Sequence, residues 1–155
     1  MLGFDDLLRQ AGENKLKAAY LAAGYPPRAS GWITEEQAAA LKHVPLLIVQ
    51  DLFPSPASAV AKYVIPAATY AEKDGTFVNH AGLAQAIHWA VRPPEGVRSD
   101  GQVFLDLLER RGLVHAPSLR AEMARDIPYF ASLAKELGDQ GVSLETPGGM
   151  LSRPS

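Results

Sequence analysis

The sequence of 155 residues contains no cysteine. This absence excludes disulfide bonds, cysteine-ligated zinc, a cysteine nucleophile and ordinary iron–sulfur ligation by this chain. The formal net charge is only −2, and no run of five or more like charges occurs. No basic surface excess therefore favours nucleic acid or anionic lipid, and we expect no nucleic-acid binding.

Long apolar runs and metal-ligand spacings are also missing. No apolar run approaches the roughly 18 to 20 residues of a transmembrane helix, and the N-terminus Met1-Leu-Gly-Phe-Asp-Asp lacks the basic region of a signal peptide. We expect no direct membrane insertion and a cytoplasmic location. The four histidines show no i, i+4 pair and no HExxH spacing, and no GxGxxG, Walker A or GxSxG motif occurs. The sequence therefore predicts no metal site and no catalytic residue.

What the sequence does contain is an alternation of apolar runs with a helix signal. Leu16–Ala23 and Pro45–Val49 are apolar runs typical of buried strands. Between them, Thr34-Glu-Glu-Gln37 has the form of a capping box at a helix start. Two buried strands separated by a helix predict a right-handed βαβ unit with parallel strands. Ser58–Lys62 predicts a further short helix, and Tyr63–Ile65 a third strand.

The C-terminal part predicts helices. Ser99-Asp-Gly-Gln102 repeats the capping-box pattern. An apolar stripe on the following helix is formed by Val103, Phe104, Leu107 and Leu108. The predicted fold class is α/β, a partial Rossmann-like parallel sheet of βαβ type with a helical C-terminal extension. The predicted domains are a partial α/β domain at 1–95, the helical extension at 96–140 and a disordered tail at 141–155.

The most informative segment is Tyr63-Val-Ile-Pro-Ala-Ala-Thr-Tyr-Ala-Glu-Lys-Asp-Gly-Thr-Phe-Val-Asn79, followed by Gln85. From its residues it is a short strand ended by Pro66, then a small-residue loop, then a turn-rich segment in which Asp74-Gly75 can reverse the chain. Small residues and glycines obscure any period from Glu72 to Val91.

This segment resembles the run "ADVVLPaat..EkdGTf.N.EGR.Q" of the molybdopterin oxidoreductase superfamily. The version it resembles most is that of the large iron–sulfur (G) polypeptide of bacterial NADH:quinone oxidoreductase, respiratory complex I. The resemblance extends upstream through Leu47-Ile-Val-Gln-Asp51 and downstream to Pro93-Pro94. It implies a non-catalytic C-terminal region or subunit of the peripheral arm, which provides structural support and contacts other subunits, while the redox chemistry lies elsewhere.

The resemblance also implies candidate cofactor-binding positions. In this family the loops "GxNP" and "QD.f.tET" are associated with the nucleotide arms of molybdopterin guanine dinucleotide, and ligands of open α/β sheets sit beyond the carboxyl ends of the strands. The matching positions, taken as a vestigial or weak cofactor face, are Gly24, Gln50, Asp51, Gly75, Thr76, Asn79 and Gln85. Turn chemistry alone also explains these residue types, because Gly turns the chain and Asp, Thr and Asn bond nearby backbone amides.

Several positions depart from the family pattern. Apolar, aromatic or oppositely charged residues stand where the pattern has polar groups, namely Tyr25, Ala57, Lys62, Ala81 and Leu83. Each buried polar edge of a ligand left without a partner costs about 1 to 3 kcal/mol. We therefore expect that this chain binds no cofactor, although molybdopterin guanine dinucleotide is the cofactor that the family implies.

Two other functions stay open. The chain can be a cofactor-binding fragment of a molybdopterin-dependent oxidoreductase similar to formate dehydrogenase, or a free-standing module that dimerises. Only about three parallel strands are predicted, fewer than sheets usually have. Leu16–Leu21 or Leu46–Val49 would then lie near an unprotected edge that invites pairing. The expected partners are therefore other subunits of a respiratory oxidoreductase, which would place the chain peripheral to the inner membrane, or a second copy of the chain.

Overall fold

The computed structural model describes residues 3–23 and 31–144. These residues form two compact units. The first comprises the described residues up to Thr69 together with Pro93–Arg98, and the second comprises Tyr70–Arg92 with the described residues from Ser99 onward. No helix within 3–23 and 31–144 is long and apolar enough to cross a bilayer.

The first unit is built on a three-stranded parallel sheet of order β1-β2-β3. Its elements along the chain are α1 (Phe4–Gly12), β1 (Ala18–Ala22), α2 (Glu35–Leu41), β2 (Leu46–Asp51), α3 (Pro56–Val60) and β3 (Tyr63–Pro66). The α/β class, the parallel pairing and all three predicted strands are confirmed. Because β2 pairs with both neighbours, Leu46–Val49 lies in the central strand and not at an edge. The outer strands of this sheet are β1 and β3.

Local helix signals position the two helices that flank β2. Thr34 and Gln37 form both halves of the predicted capping box at α2. A second capping box joins Ser55 to Ser58 and, with Pro56 in the first turn, starts α3 earlier than the predicted Ser58–Lys62. The core beneath them is apolar. Its largest fully buried side chains include Ile33, Leu41, Leu47 and Val49.

The second unit contains a three-stranded antiparallel sheet of order β4-β5-β6. These strands are Gly75–Val78, Leu83–Ile87 and Val142–Ser143. The β4–β5 hairpin turns at Asn79–Gly82, where the Gly82 amide donates to the Asn79 carbonyl at 3.0 Å and Gly82 adopts φ 77°. The predicted reversal at Asp74-Gly75 is therefore wrong, because Gly75 already belongs to β4 and pairs with Ile87.

Helices complete the second unit. They are α4 (Asp100–Leu107) and α5 (Ala116–Asp126), followed by a 3₁₀ segment at Pro128–Ala134, and a short 3₁₀ turn lies earlier at Tyr70–Glu72. The helical character of the C-terminal part is confirmed. Of the predicted apolar stripe only Val103 is buried, since Phe104, Leu107 and Leu108 are between 45% and 68% exposed, and the other buried residue of α4 is Leu105.

Contacts beyond the helix decide which face of α4 is buried. The Gln102 side chain does not close the predicted capping box. Its Oε1 instead accepts the Val114 amide at 3.0 Å, which fixes the chain after α4 against the helix start. A Cβ added at Gly101 would lie 3.2 Å from the Val114 side chain, so Val114 packs directly on Gly101. The packed side of α4 is set by this contact.

The predicted division of the chain differs from these units, which also place residues 96–98 with the first unit and not with the helical extension. The hairpin of β4 and β5 pairs with β6, so Tyr70–Arg92 groups with the C-terminal helices although the predicted α/β domain runs to residue 95. Ordered structure also runs past the predicted start of a disordered tail at residue 141, because Val142 pairs with Ala84 and Leu144 is buried. Residues 145–155 lie outside the described residues.

Candidate functional site

Asp51 is the buried carboxylate at the carboxyl end of the central strand. It is 6% exposed, and its Oδ2 accepts the Trp32 indole N–H at 2.8 Å. Its Oδ1 accepts the Leu52 amide at 2.8 Å and lies 3.5 Å from the Phe53 amide. Both carboxylate oxygens therefore hold protein donors. They fix the turn that leads from β2 towards α3.

Gln50 is the other polar residue at this strand end. It is 0% exposed, and its Oε1 accepts the Tyr20 hydroxyl from the neighbouring β1. Its backbone carbonyl accepts the Ala23 amide at 2.8 Å, which extends the β1–β2 ladder by one residue. Gln50 thus ties the two strands together. The third predicted position here, Gly24, lies outside the described residues.

The end of β3 is covered by backbone from later in the chain. Arg98 forms a parallel bridge with Ala67. The Arg98 amide donates to the Pro66 carbonyl at 3.3 Å, and the Arg98 carbonyl accepts the Ala68 amide at 3.2 Å. The Ala67 amide donates to the Asp51 carbonyl at 3.0 Å. The loop after β3 is therefore held on both sides by main-chain hydrogen bonds, and Ala67 and Ala68 are buried.

The remaining four predicted residues lie in the second unit, on the β4–β5 hairpin. Thr76 accepts a hydrogen bond from the Arg120 guanidinium of α5 at 3.2 Å. The Asn79 Oδ1 accepts the Ala81 amide at 2.9 Å and the Leu83 amide at 3.0 Å, so its side chain closes the hairpin turn. Gly75 begins β4 in a conformation open to other residues, with φ outside the positive region.

Gln85 is the predicted residue whose side chain stays available. It lies exposed on β5, directly opposite Phe77. Among the residues that the structure describes, its amide makes no side-chain hydrogen bond. Gln50, Asp51, Thr76 and Asn79, by contrast, use their polar side-chain atoms within the protein.

This arrangement is a poor fit to the dinucleotide cofactor. Pterin and guanine rings need partners for several polar edges. The Gln50 Oε1 and both carboxylate oxygens of Asp51 already accept hydrogen bonds, from the Tyr20 hydroxyl, the Trp32 indole and the Leu52 amide. Ala57, which replaces a threonine of the family pattern, is 0% exposed and packs in the core, so it cannot contact a ligand.

Sequence patterns missed the partners that organise these positions. Tyr20 lies 30 residues from Gln50, Trp32 lies 19 residues from Asp51, and Arg120 lies 44 residues from Thr76. No local spacing signals such pairs. Within 3–23 and 31–144, no group of three or more histidine, aspartate or glutamate side chains is arranged to hold a metal ion.

Comparison with known proteins shows which family the sequence matches. The molybdopterin oxidoreductase family model matches residues 3–110. The α subunit of F420-dependent formate dehydrogenase 1 from Methanococcus maripaludis is 35% identical over 159 residues, which cover 95% of this chain and 23% of that protein. The α subunit of NADPH-Fe(3+) oxidoreductase from Geobacter sulfurreducens is 35% identical over 130 residues, or 81% of this chain and 15% of that protein.

A third relative is a G subunit, the polypeptide that the signature segment resembles. The G 2 subunit of NADH-quinone oxidoreductase from Rhizobium meliloti is 37% identical over 101 residues, covering 62% of this chain and 12% of that protein. The chain thus spans less than a quarter of the length of each of these three relatives. The similarity to this complex I polypeptide stands beside comparable similarity to formate dehydrogenase, so it supports the superfamily and not one member of it. The chain belongs to the molybdopterin oxidoreductase family.

Proposed function

We propose that this chain is a non-catalytic part of a larger oxidoreductase, in which it provides structural support and contacts other subunits. The observation that carries the proposal is the arrangement at the end of the parallel sheet. There Gln50 and Asp51 accept hydrogen bonds from Tyr20, Trp32 and the backbone. A site that bound a cofactor would keep such groups for the ligand.

The chemistry available to the chain agrees with a supporting role. It contains no cysteine, so iron–sulfur clusters of the assembly would be held by other polypeptides or other segments. The relatives are named as α or G subunits, and this chain matches only a minor part of each. We propose a cytoplasmic position, peripheral to the inner membrane, within an assembly similar to NADH:quinone oxidoreductase.

A second candidate is a cofactor-binding part of an enzyme similar to formate dehydrogenase. It is favoured by the match to a formate dehydrogenase α subunit over 95% of this chain. Gln85, exposed on β5, would be the side chain still free to contact the cofactor. In this alternative the polar partners that the strand ends lack would come from other parts of the enzyme.

The test is purification of the tagged full chain from its native host at native expression level, with an unrelated tagged protein of similar size as the control. The proposal expects stoichiometric recovery of a polypeptide with iron–sulfur cysteine motifs. Subunits of a quinone oxidoreductase would favour the first candidate. Molybdenum and a pterin nucleotide in the purified assembly, lost on Gln85→Ala, would favour the second. Recovery of the chain alone, as a stable monomer, would contradict both.

A further inference from the structure

A cavity of about 400 Å³ lies within the second unit. It is lined by residues of β4, the start of α4, α5 and the 3₁₀ segment, and its charged lining residues are Lys73, Asp74, Asp100 and Arg120. The side chains that line the apolar part include Ile87, Val114, Leu119, Met123, Phe130 and Leu133. This volume is in the range of pockets that enclose small molecules, which are typically about 300 to 1,000 Å³ and mostly apolar with a few polar groups.

The charged side chains that line the cavity differ in whether they have a charged partner. Lys73 forms an ion pair with Asp100, and the Asp74 carboxylate accepts the Trp89 amide at 2.8 Å. Arg120 is partly buried, and its hydrogen bond goes to a neutral group, the Thr76 hydroxyl at 3.2 Å. Among the described residues, no carboxylate lies within ion-pair distance of Arg120.

The helix that carries Arg120 offers it no acid either. The positions three and four residues away on α5, which share its face, are Ala116, Pro117, Met123 and Ala124. Glu122 accepts two hydrogen bonds from Arg110, which lower the pKa of Glu122. Asp126 is paired with Arg125 in the same way. Both acidic residues of α5 therefore pair with arginines other than Arg120.

We propose that this cavity binds a small amphipathic carboxylate, an aliphatic or aromatic acid whose carboxylate pairs with Arg120 and whose apolar body lies against Val114, Leu119 and Leu133. A guanidinium presents a planar fork of donors that matches a carboxylate. The apolar walls supply the hydrophobic part of the binding energy. This inference does not rest on the assembly role proposed above.

The test uses the full chain with sodium octanoate as the probe and 1-octanol as its neutral analogue. Titration calorimetry measures affinity, and methyl-labelled NMR spectra report which side chains the probe touches. Octanoate is expected to bind more tightly than octanol and to shift the methyl signals of Val114, Leu119 and Leu133. Arg120→Gln is expected to weaken octanoate binding at least about tenfold, the loss of one charge-assisted pair. Octanol binding should change little.

Two further variants separate charge from structure. Thr76→Val removes the same intramolecular hydrogen bond as Arg120→Gln but keeps the guanidinium, so it should retain octanoate affinity within about threefold. Arg111→Gln removes an exposed arginine of the same unit and should change nothing. An equal loss in Thr76→Val and Arg120→Gln would overturn the proposal, because Arg120 would then act only on the fold. Octanoate affinity unchanged in Arg120→Gln, or methyl shifts confined to residues outside the cavity, would also overturn it.

Discussion

If Asp51 is a structural residue, its removal should destabilise the first unit. Asp51→Ala leaves the Trp32 indole N–H and the Leu52 amide without their acceptors, each now 2.8 Å from a carboxylate oxygen. Hydrogen bonds to a charged acceptor contribute about 1.5 to 3 kcal/mol each, and relief of carboxylate burial offsets part of this sum. We expect the free energy of unfolding to fall by about 2 to 4 kcal/mol. Asp51→Asn, which keeps one oxygen acceptor, should cost about half as much.

The assay follows the first unit by itself. The chain has two tryptophans, Trp32 in the first unit and Trp89 in the second. In a Trp89→Phe background, urea unfolding followed by tryptophan fluorescence therefore reports on Trp32 and its surroundings. The control is Asp5→Ala, an exposed acid of the same unit, which should change the free energy of unfolding by no more than about 0.5 kcal/mol.

The reasoning would be refuted by an Asp51→Ala protein that unfolds at the same free energy as the parent. In that case the hydrogen bonds of Asp51 would contribute nothing to the fold. Its burial would then point to a group kept for a ligand, as in the second candidate function. A double-mutant cycle with Trp32→Phe, followed by circular dichroism, measures how much of the effect passes through the indole.

Four other outcomes are expected. Gly141→Ala should lower the free energy of unfolding of the second unit by at least about 1 kcal/mol in urea, since Gly141 has φ 70° and a Cβ would lie 2.5 Å from the Ala84 carbonyl oxygen. The control Gly138→Ala, whose Cβ would meet nothing within 4 Å, should leave that free energy nearly unchanged. Leu105→Ala, at a buried position outside the predicted stripe, should cost about 2 kcal/mol or more by the same measurement. The exposed Leu107→Ala should cost less than about 0.5 kcal/mol, and the reverse order would show that the predicted stripe is the buried face after all. Elemental analysis and calorimetry of the purified chain should detect neither stoichiometric molybdenum or iron nor binding of GMP at low micromolar concentration, and tight binding of GMP would contradict the poor fit of the strand ends. Sedimentation at low micromolar concentration should show self-association or binding of a neighbouring subunit, because the three-stranded parallel sheet leaves strand edges unpaired. A stable, cooperatively unfolding monomer with no affinity for such a subunit would contradict this expectation.

Local chemistry explains what the sequence could predict. The capping box of Thr34 and Gln37 forms as expected, because a cap involves residues three positions apart and needs no tertiary partner. The apolar runs around Leu21, Val49 and Val64 become parallel strands, because a βαβ order admits few other pairings. The family signature also identified the superfamily, since its residues lie together in the chain.

The tertiary structure alone decided what the polar residues of the signature do. Asn79 closes the β4–β5 turn by capturing two amides, and Asp51 binds an indole that lies 19 residues earlier in the chain. The contact between Val114 and Gly101 likewise decides which face of α4 is buried, and this face differs from the apolar stripe that the sequence predicts. A sequence pattern records residue types at fixed spacing. Whether a buried carboxylate or amide serves a ligand or the fold depends on which donors the rest of the chain brings within hydrogen-bonding distance.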